Sequence, residues 1–382
     1  MQLHKNIFFA FFLLLSSYFV SLAQLDNKYL QDKIDINSSD SNRIGLILNA
    51  FNYMRNTEYY SKIEVGRTLF GYQLNPNLYY QVNPYIKLQA GVFLRNDFGA
   101  ENTYTSIAPT FTLKAQKNNF SMLFGTLEGA LSHRIIEPMF DISRVIENRL
   151  ENGFQVKYNT QRTFFDAWIN WEKFIERGSP YKEQLTTGGS LQHNLFDSKA
   201  KNKDWNVLFM SQVMLSHQGG QIDNDSVNQL YVKMNAAAGL RISRSFSNQF
   251  IKEIRLEPYY LIYKENSSSG MPFDNGNAMY LSGFVDTKYL GLMISYWNSQ
   301  NFLAPRGTAI YQSQSIDKSS YFIPNYKREL LFLRLLYEKP LFDKLYLTAR
   351  LEPFYDFATA DLDYSYSFYL SYKQNINFGR EK

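Results

Sequence analysis

An antiparallel all-β barrel that spans a membrane is the fold this sequence predicts, and three observations predict it. The first is the C-terminal run from Tyr364 to Phe378, where even positions are mostly aromatic or aliphatic and odd positions mostly small or polar. Strand side chains alternate faces with a period of two, so this run has one greasy face and one wet face. The second is an export signal at the N-terminus, and the third is a rhythm of short and long connections between candidate strands.

The chain opens with Lys5 as a short basic start, a charge-free apolar stretch over 7–20, and the small residues Ser21 and Ala23 where a signal peptidase reads. Cleavage is expected between Ala23 and Gln24. The stretch is shorter than the ~20 residues of a membrane-spanning helix. No Cys follows Ala23, so a lipid anchor is not expected. The expected organisation is therefore a signal peptide over 1–23, a periplasmic N-terminal segment over 24–42, the barrel over 43–378 and a short tail over 379–382.

Without the signal segment the chain has 39 Lys and Arg against 35 Asp and Glu, a balance too even to argue for nucleic acid or an acidic substrate. The absence of Cys excludes a disulfide scaffold, a thiolate metal site and a Cys nucleophile. Mean hydropathy is negative although 45% of residues are apolar, as expected where each apolar residue has a polar neighbour. No later stretch has 18 consecutive apolar residues, so the membrane is not crossed by helices.

Sixteen strands are expected, within a range of 14 to 18. The first eight span 43–54, 59–73, 77–95, 104–116, 120–133, 153–159, 161–172 and 186–196. The second eight span 205–216, 228–243, 250–264, 277–286, 288–298, 327–338, 344–357 and 363–378. Asn75-Pro76-Asn77, Lys117-Asn118-Asn119, Asn159-Thr160, 245–248 and 286–288 are tight turns, whereas 134–152, 173–185, 217–227, 265–276 and 299–326 are long. Short turns belong to the periplasm and long loops to the outside, and an even strand number places both termini in the periplasm. Unpaired backbone groups are not tolerated in lipid, so the strands must close on themselves.

Arg255-Leu256-Glu257-Pro258 recurs as Arg350-Leu351-Glu352-Pro353. Arg and Glu lie two apart in each copy, so both charges face inward, and the lumen is either wet or laced with ion pairs. The prolines lack the donor a ladder uses, so a bulge is expected at each.

After the fifth strand, 134–152 is dense in both charge signs, and Met139, Ile142, Ile146 and Leu150 recur at helical spacing behind Pro138. At this point the chain resembles the sixteen-stranded general porins of Gram-negative outer membranes, whose third outer loop folds inward and narrows the barrel. The resemblance rests on topology and loop position, without a sequence motif. It implies that Arg134, Glu137, Asp141 and Arg144 form a constriction; a short amphipathic helix over the rim is the alternative.

Catalytic signals are thin. His133, His193 and His217 lie near strand ends, where histidines are usually surface residues, and Ser132-His133 and Ser216-His217 send neighbours to opposite strand faces. No phosphate loop, zinc spacing or calcium loop is present, so no cofactor or metal is expected. The sequence therefore predicts no enzyme. It predicts an outer-membrane, porin-like channel for passive diffusion of small hydrophilic solutes, with Lys87, Arg95, Asp166, Glu172, Lys233, Arg241, Arg255, Glu257, Arg350 and Glu352 lining the pore. Its expected partners are outer-membrane lipid, the barrel-assembly machinery and the solutes, with no nucleic acid. The alternatives are an accessory barrel in a secretion or surface-glycan export assembly and, less favoured, an outer-membrane hydrolase.

Overall fold

In the computed structural model, which describes residues 27–60, 63–197, 204–247, 250–266, 273–315 and 327–378, the strands form one closed antiparallel barrel of sixteen. They are β1 (Arg43–Glu58), β2 (Thr68–Asn83), β3 (Ile86–Asp97), β4 (Ser106–Lys117), β5 (Phe120–Thr126), β6 (Asn152–Asn159), β7 (Thr163–Lys173) and β8 (Glu183–Asp197). The second half comprises β9 (Trp205–Gly219), β10 (Tyr231–Ser245), β11 (Ile251–Glu265), β12 (Asn275–Thr287), β13 (Gly291–Gln300), β14 (Lys327–Phe342), β15 (Leu345–Asp356) and β16 (Asp361–Asn377). Each strand pairs with its sequence neighbours and β16 pairs with β1, from Gly45 opposite Asn377 to Glu58 opposite Tyr364. The signal-peptide and tail assignments fall outside the described residues.

The alternation read from the sequence becomes an inside-out core. On β16 Ser367 is 1% exposed while its neighbour Phe368 is 52% exposed. Leu78, Leu256, Leu281 and Leu351 likewise face outward, toward lipid, while Gln81, Arg241, Glu257 and Ser282 are buried inside. Polar side chains are buried because the lumen is filled.

Several boundaries differ from expectation, each for a physical reason. Asn75-Pro76-Asn77 is no turn: β2 runs straight through it and Pro76 pairs with Leu48 of β1. The turn lies at Pro84-Tyr85, a two-residue connection that keeps odd residues inward on both strands and so hides itself in the alternation. The expected bulges at Pro258 and Pro353 do not form. Each proline stays in register with one neighbour, Leu281 and Tyr364 respectively, and the ladder to the other neighbour lapses around it without a shift. Pro76 behaves in the same way toward β3. Finally, β5 ends at Thr126 rather than at His133, so the inward-folding segment starts seven residues earlier than the sequence suggested.

Candidate functional site

Three segments from outside the wall enter the barrel and pack together. They are the N-terminal segment 27–35, the β5–β6 loop 127–151 and the first part of the β13–β14 loop, 301–315. Their apolar residues Leu30, Ile136, Met139, Val145, Ile146, Phe302, Leu303 and Tyr311 form a buried cluster inside the ring of strands. The expected helix over 134–152 reduces to one turn, Arg144–Glu147, after a 3-10 turn at Ala130–His133. The helical spacing of Met139, Ile142 and Ile146 marks residues that bury against the lumen rather than a continuous helix. The 301–315 stretch, expected to stand outside with the rest of its loop, also folds inward.

The plug is held by the wall's charges. Glu137, from the loop, accepts from Arg350 at 3.1 Å and is paired with Arg334 of β14. Arg350 and Arg334 also meet Glu352, at 2.6 and 2.9 Å. The Glu137 carbonyl accepts from the Thr308 amide at 3.1 Å, and the Asp141 amide donates to the Arg306 carbonyl at 2.8 Å, so the two inserted loops bind each other. Glu172 on β7 receives Arg306, with Nε at 3.0 Å, and lies 3.7 Å from Arg144. The N-terminal segment is fixed by a bidentate contact of Arg149 to Asp32 at 2.8 and 2.9 Å, and Arg350 donates to Asn27 at 3.2 Å. The voids left around Glu137 and Arg55 measure about 10–20 Å³, room for about one water each.

All ten wall residues expected to line a pore point inward, but most are tied to partners. Arg241 meets Glu257 at 2.7 Å, Arg255 meets Asp286 at 2.8 Å, and Arg95 meets Asp97 at 2.9 Å and the Glu147 carbonyl. Lys233 lies over the Tyr231 ring, and Lys87 donates to the Asp35 carbonyl at 2.9 Å. Among the loop residues, Arg134 donates to Gln192 at 2.9 Å and stacks on Phe164, while Asp141 caps Ser143.

His133 corrects the reading of a surface histidine on a strand. It is 0% exposed in the lumen, with Nδ1 2.9 Å from Asp166 and Nε2 3.1 Å from Glu151, and its ring stacks on Trp168 at 3.6 Å. Burial opposes its protonation, but the two carboxylates outweigh that cost and raise its pKa to about 9. Ser132 donates to the Asp32 carbonyl instead of to the histidine. His217 follows the expected alternation, with Ser216 buried beside it on β9. Nothing in the sequence placed Glu151 and Asp166 around His133, because the pairing depends on where the loop turns back into the barrel.

Below the plug, toward the periplasmic turns, lies a chamber of about 440 Å³. Its walls include Asn49, Asn77, Lys87, Gln89, Thr110, Thr112, Tyr346 and Lys373, and residues 28–35 of the N-terminal segment cross it. Glu128 borders it between Lys114 and Lys157, each at 2.7 Å. Burial opposes the ionisation of Glu128, yet these two ammonium groups hold its pKa down to about 2.

Among solved structures the chain is similar to OmpT, an outer-membrane protein of Vibrio cholerae, with 9% identity, a TM-score of 0.50, and coverage of 88% of this chain and 100% of that one. The loop L8 deletion mutant of the same protein gives 12%, 0.50, 87% and 99%. OprD of Pseudomonas aeruginosa gives 9%, 0.48, 87% and 94%. The two OmpT likenesses describe the fold alone, a closed barrel of the outer-membrane kind. No curated protein matches the sequence. The pattern of one family, described as lipid A 3'-O-deacylase-type, matches residues 36–381, a range that contains all sixteen strands of the barrel. The chain belongs to the lipid A 3'-O-deacylase-type family.

Proposed function

We propose that the protein is an outer-membrane channel for small hydrophilic solutes, closed in this structure by its plug, and not an enzyme. The chamber carries this reading: a polar space of about 440 Å³ inside a sixteen-stranded barrel, open toward the periplasmic end and bounded outward by loops that are held without covalent links. A barrel serving only as an anchor needs no such width, since eight strands already fill their own interior. In this reading Arg134, Glu137, Asp141 and Arg144 belong to the segment that must shift for solute to pass, and the inward charges of the wall filter by size and sign. Insertion would depend on the barrel-assembly machinery. Planar-bilayer recording tests it. The parent should conduct rarely, and a variant lacking 302–312 should conduct in steady steps. Silence from both, with each folded as a barrel, would move the protein to the accessory role.

A second reading is favoured by the family and by His133. Lipid A 3'-O-deacylation hydrolyses an ester, and a histidine oriented by a carboxylate is the usual general base for such chemistry. Here, however, both ring nitrogens face carboxylates, the raised pKa keeps the ring protonated near neutrality, and it sits inside the lumen, with the wall between it and lipid. Mass spectrometry of lipid A from cells with and without the protein decides. Loss of one acyl chain that disappears with His133→Ala would put the hydrolase first.

A further inference from the structure

We propose that the periplasmic chamber is a binding site for a small solute bearing carboxylate or phosphate groups. As the substrate class of the proposed channel this rests on that reading, but as a binding site it is measurable without conduction. The first support is charge. Lys28, Lys33, Lys87, Arg149, Lys344 and Lys373 line the chamber against the acids Asp32, Asp35 and Glu128. Two of those acids are already engaged: Asp32 by Arg149, and Glu128 by Lys114 and Lys157, which stand outside the lining; of the cations, Lys344 is likewise engaged from outside, by Asp343 at 3.5 Å. The Lys87 ammonium is met by a backbone carbonyl and the face of the Tyr79 ring, neither of which carries a formal charge. The space is therefore left with an excess of positive charge in a low-dielectric wall, which concentrates anions.

The second support is independent of charge. Gln89 is 7% exposed, lines the chamber from the inward face of β3, and its buried Nε2 has no hydrogen-bond partner. A buried amide donor without a partner is costly, and such groups normally have one. Gln89 and Lys87 lie two apart on β3, so their side chains leave the same face about 7 Å from each other. Thr112 stands opposite Gln89 on β4. A donor-rich, cationic space is complementary to an acceptor-rich anion, and charge-assisted hydrogen bonds are the stronger kind. The volume lies within the range of small-ligand sites, about 300–1,000 Å³.

Isothermal titration of the full-length barrel in detergent tests this, with citrate and inorganic phosphate as probes and maltose as an uncharged, hydroxyl-rich control. The anions should bind at low ionic strength and weaken as salt is raised, because part of the attraction is screened; maltose should give no heat. Gln89→Leu should weaken citrate about tenfold, the loss of one hydrogen bond to a charged group, while raising the melting temperature because the unpartnered amide is gone. Lys33→Gln, at an exposed position of the N-terminal segment, should weaken it several-fold without touching the fold. Equal heat from maltose, no anion binding up to ~10 mM, or citrate affinity unchanged in both variants would overturn the proposal. Anion binding by a barrel that never conducts would leave the site standing and remove the channel. Conduction without anion binding would do the reverse.

Discussion

The two halves of the lumen are built on the same strands and are opposite in character. β3 gives Lys87 and Gln89 to the chamber but Arg95 to the plug; β15 gives Tyr346 to the chamber but Arg350 and Glu352 to the plug. In the plug, Arg334, Arg350 and Arg306 each meet a carboxylate, and little void remains. In the chamber the cations outnumber the acids and the space is open. The wall does not decide which half is closed. The inserted segments decide it, by bringing Glu137 and a buried apolar cluster to the centre and leaving the periplasmic side with only a thin strand of chain across it.

The sharpest test of this contrast uses the absence of native Cys, which makes any thiol signal unambiguous. Asn49→Cys borders the chamber and should react with a water-soluble maleimide, whereas Ser367→Cys, 1% exposed beside the plug, should be protected by orders of magnitude until the plug opens. Equal labelling would mean that the plug is not seated. Next in size is Glu137→Gln. It leaves Arg334 and Arg350 to share Glu352 alone, and breaking a buried pair from one side costs about 3–5 kcal/mol. The urea midpoint of the barrel should fall, and 127–151 should become sensitive to external protease. A midpoint equal to the parent's would show that packing, rather than this ionic contact, holds the loop.

The His133 contact should respond to pH. Its folded pKa of about 9 lies above the ordinary 6.5, so its contribution is complete below about 6.5 and is lost as pH rises through about 9. Trp168 stacks on the ring and reports its charge. Tryptophan fluorescence should therefore titrate near pH 9 in the parent and not in His133→Gln. A titration unchanged in the variant would detach the signal from this histidine.

The wall was legible in the sequence and the lumen largely was not. Alternation along β16, β11 and β15 fixes faces residue by residue because lipid and lumen impose opposite polarity, so Arg255 and Glu257 on β11 and Arg350 and Glu352 on β15 fall on the inward side from parity alone. The same regularity misled at Pro76, where a strand tolerates proline by releasing one neighbour, and at Pro84-Tyr85, where a two-residue turn preserves parity. What fills the barrel has no period. Ile136, Phe302 and Tyr311 are apolar residues in irregular chain, indistinguishable in sequence from a loop that packs on the rim. His133 was misplaced because β5 stops seven residues before it, and its partners lie 18 and 33 residues away.

The smallest effect should come from the outer rim. Arg67, in the β1–β2 loop, makes a bidentate contact to Glu147 of the plug loop at 2.6 and 2.7 Å, but its side chain is 45% exposed. Exposed pairs are screened by salt and lose side-chain entropy, so Arg67→Ala should lower the urea midpoint by the equivalent of only about 0.2–1 kcal/mol. The difference should shrink further in high salt, while the Glu137→Gln deficit persists there because its arginines are buried. A rim variant as damaging as the central one would place the hold on the plug at its outer mouth, and the contrast between a tightly paired centre and an open periplasmic half would have to be redrawn around Glu147.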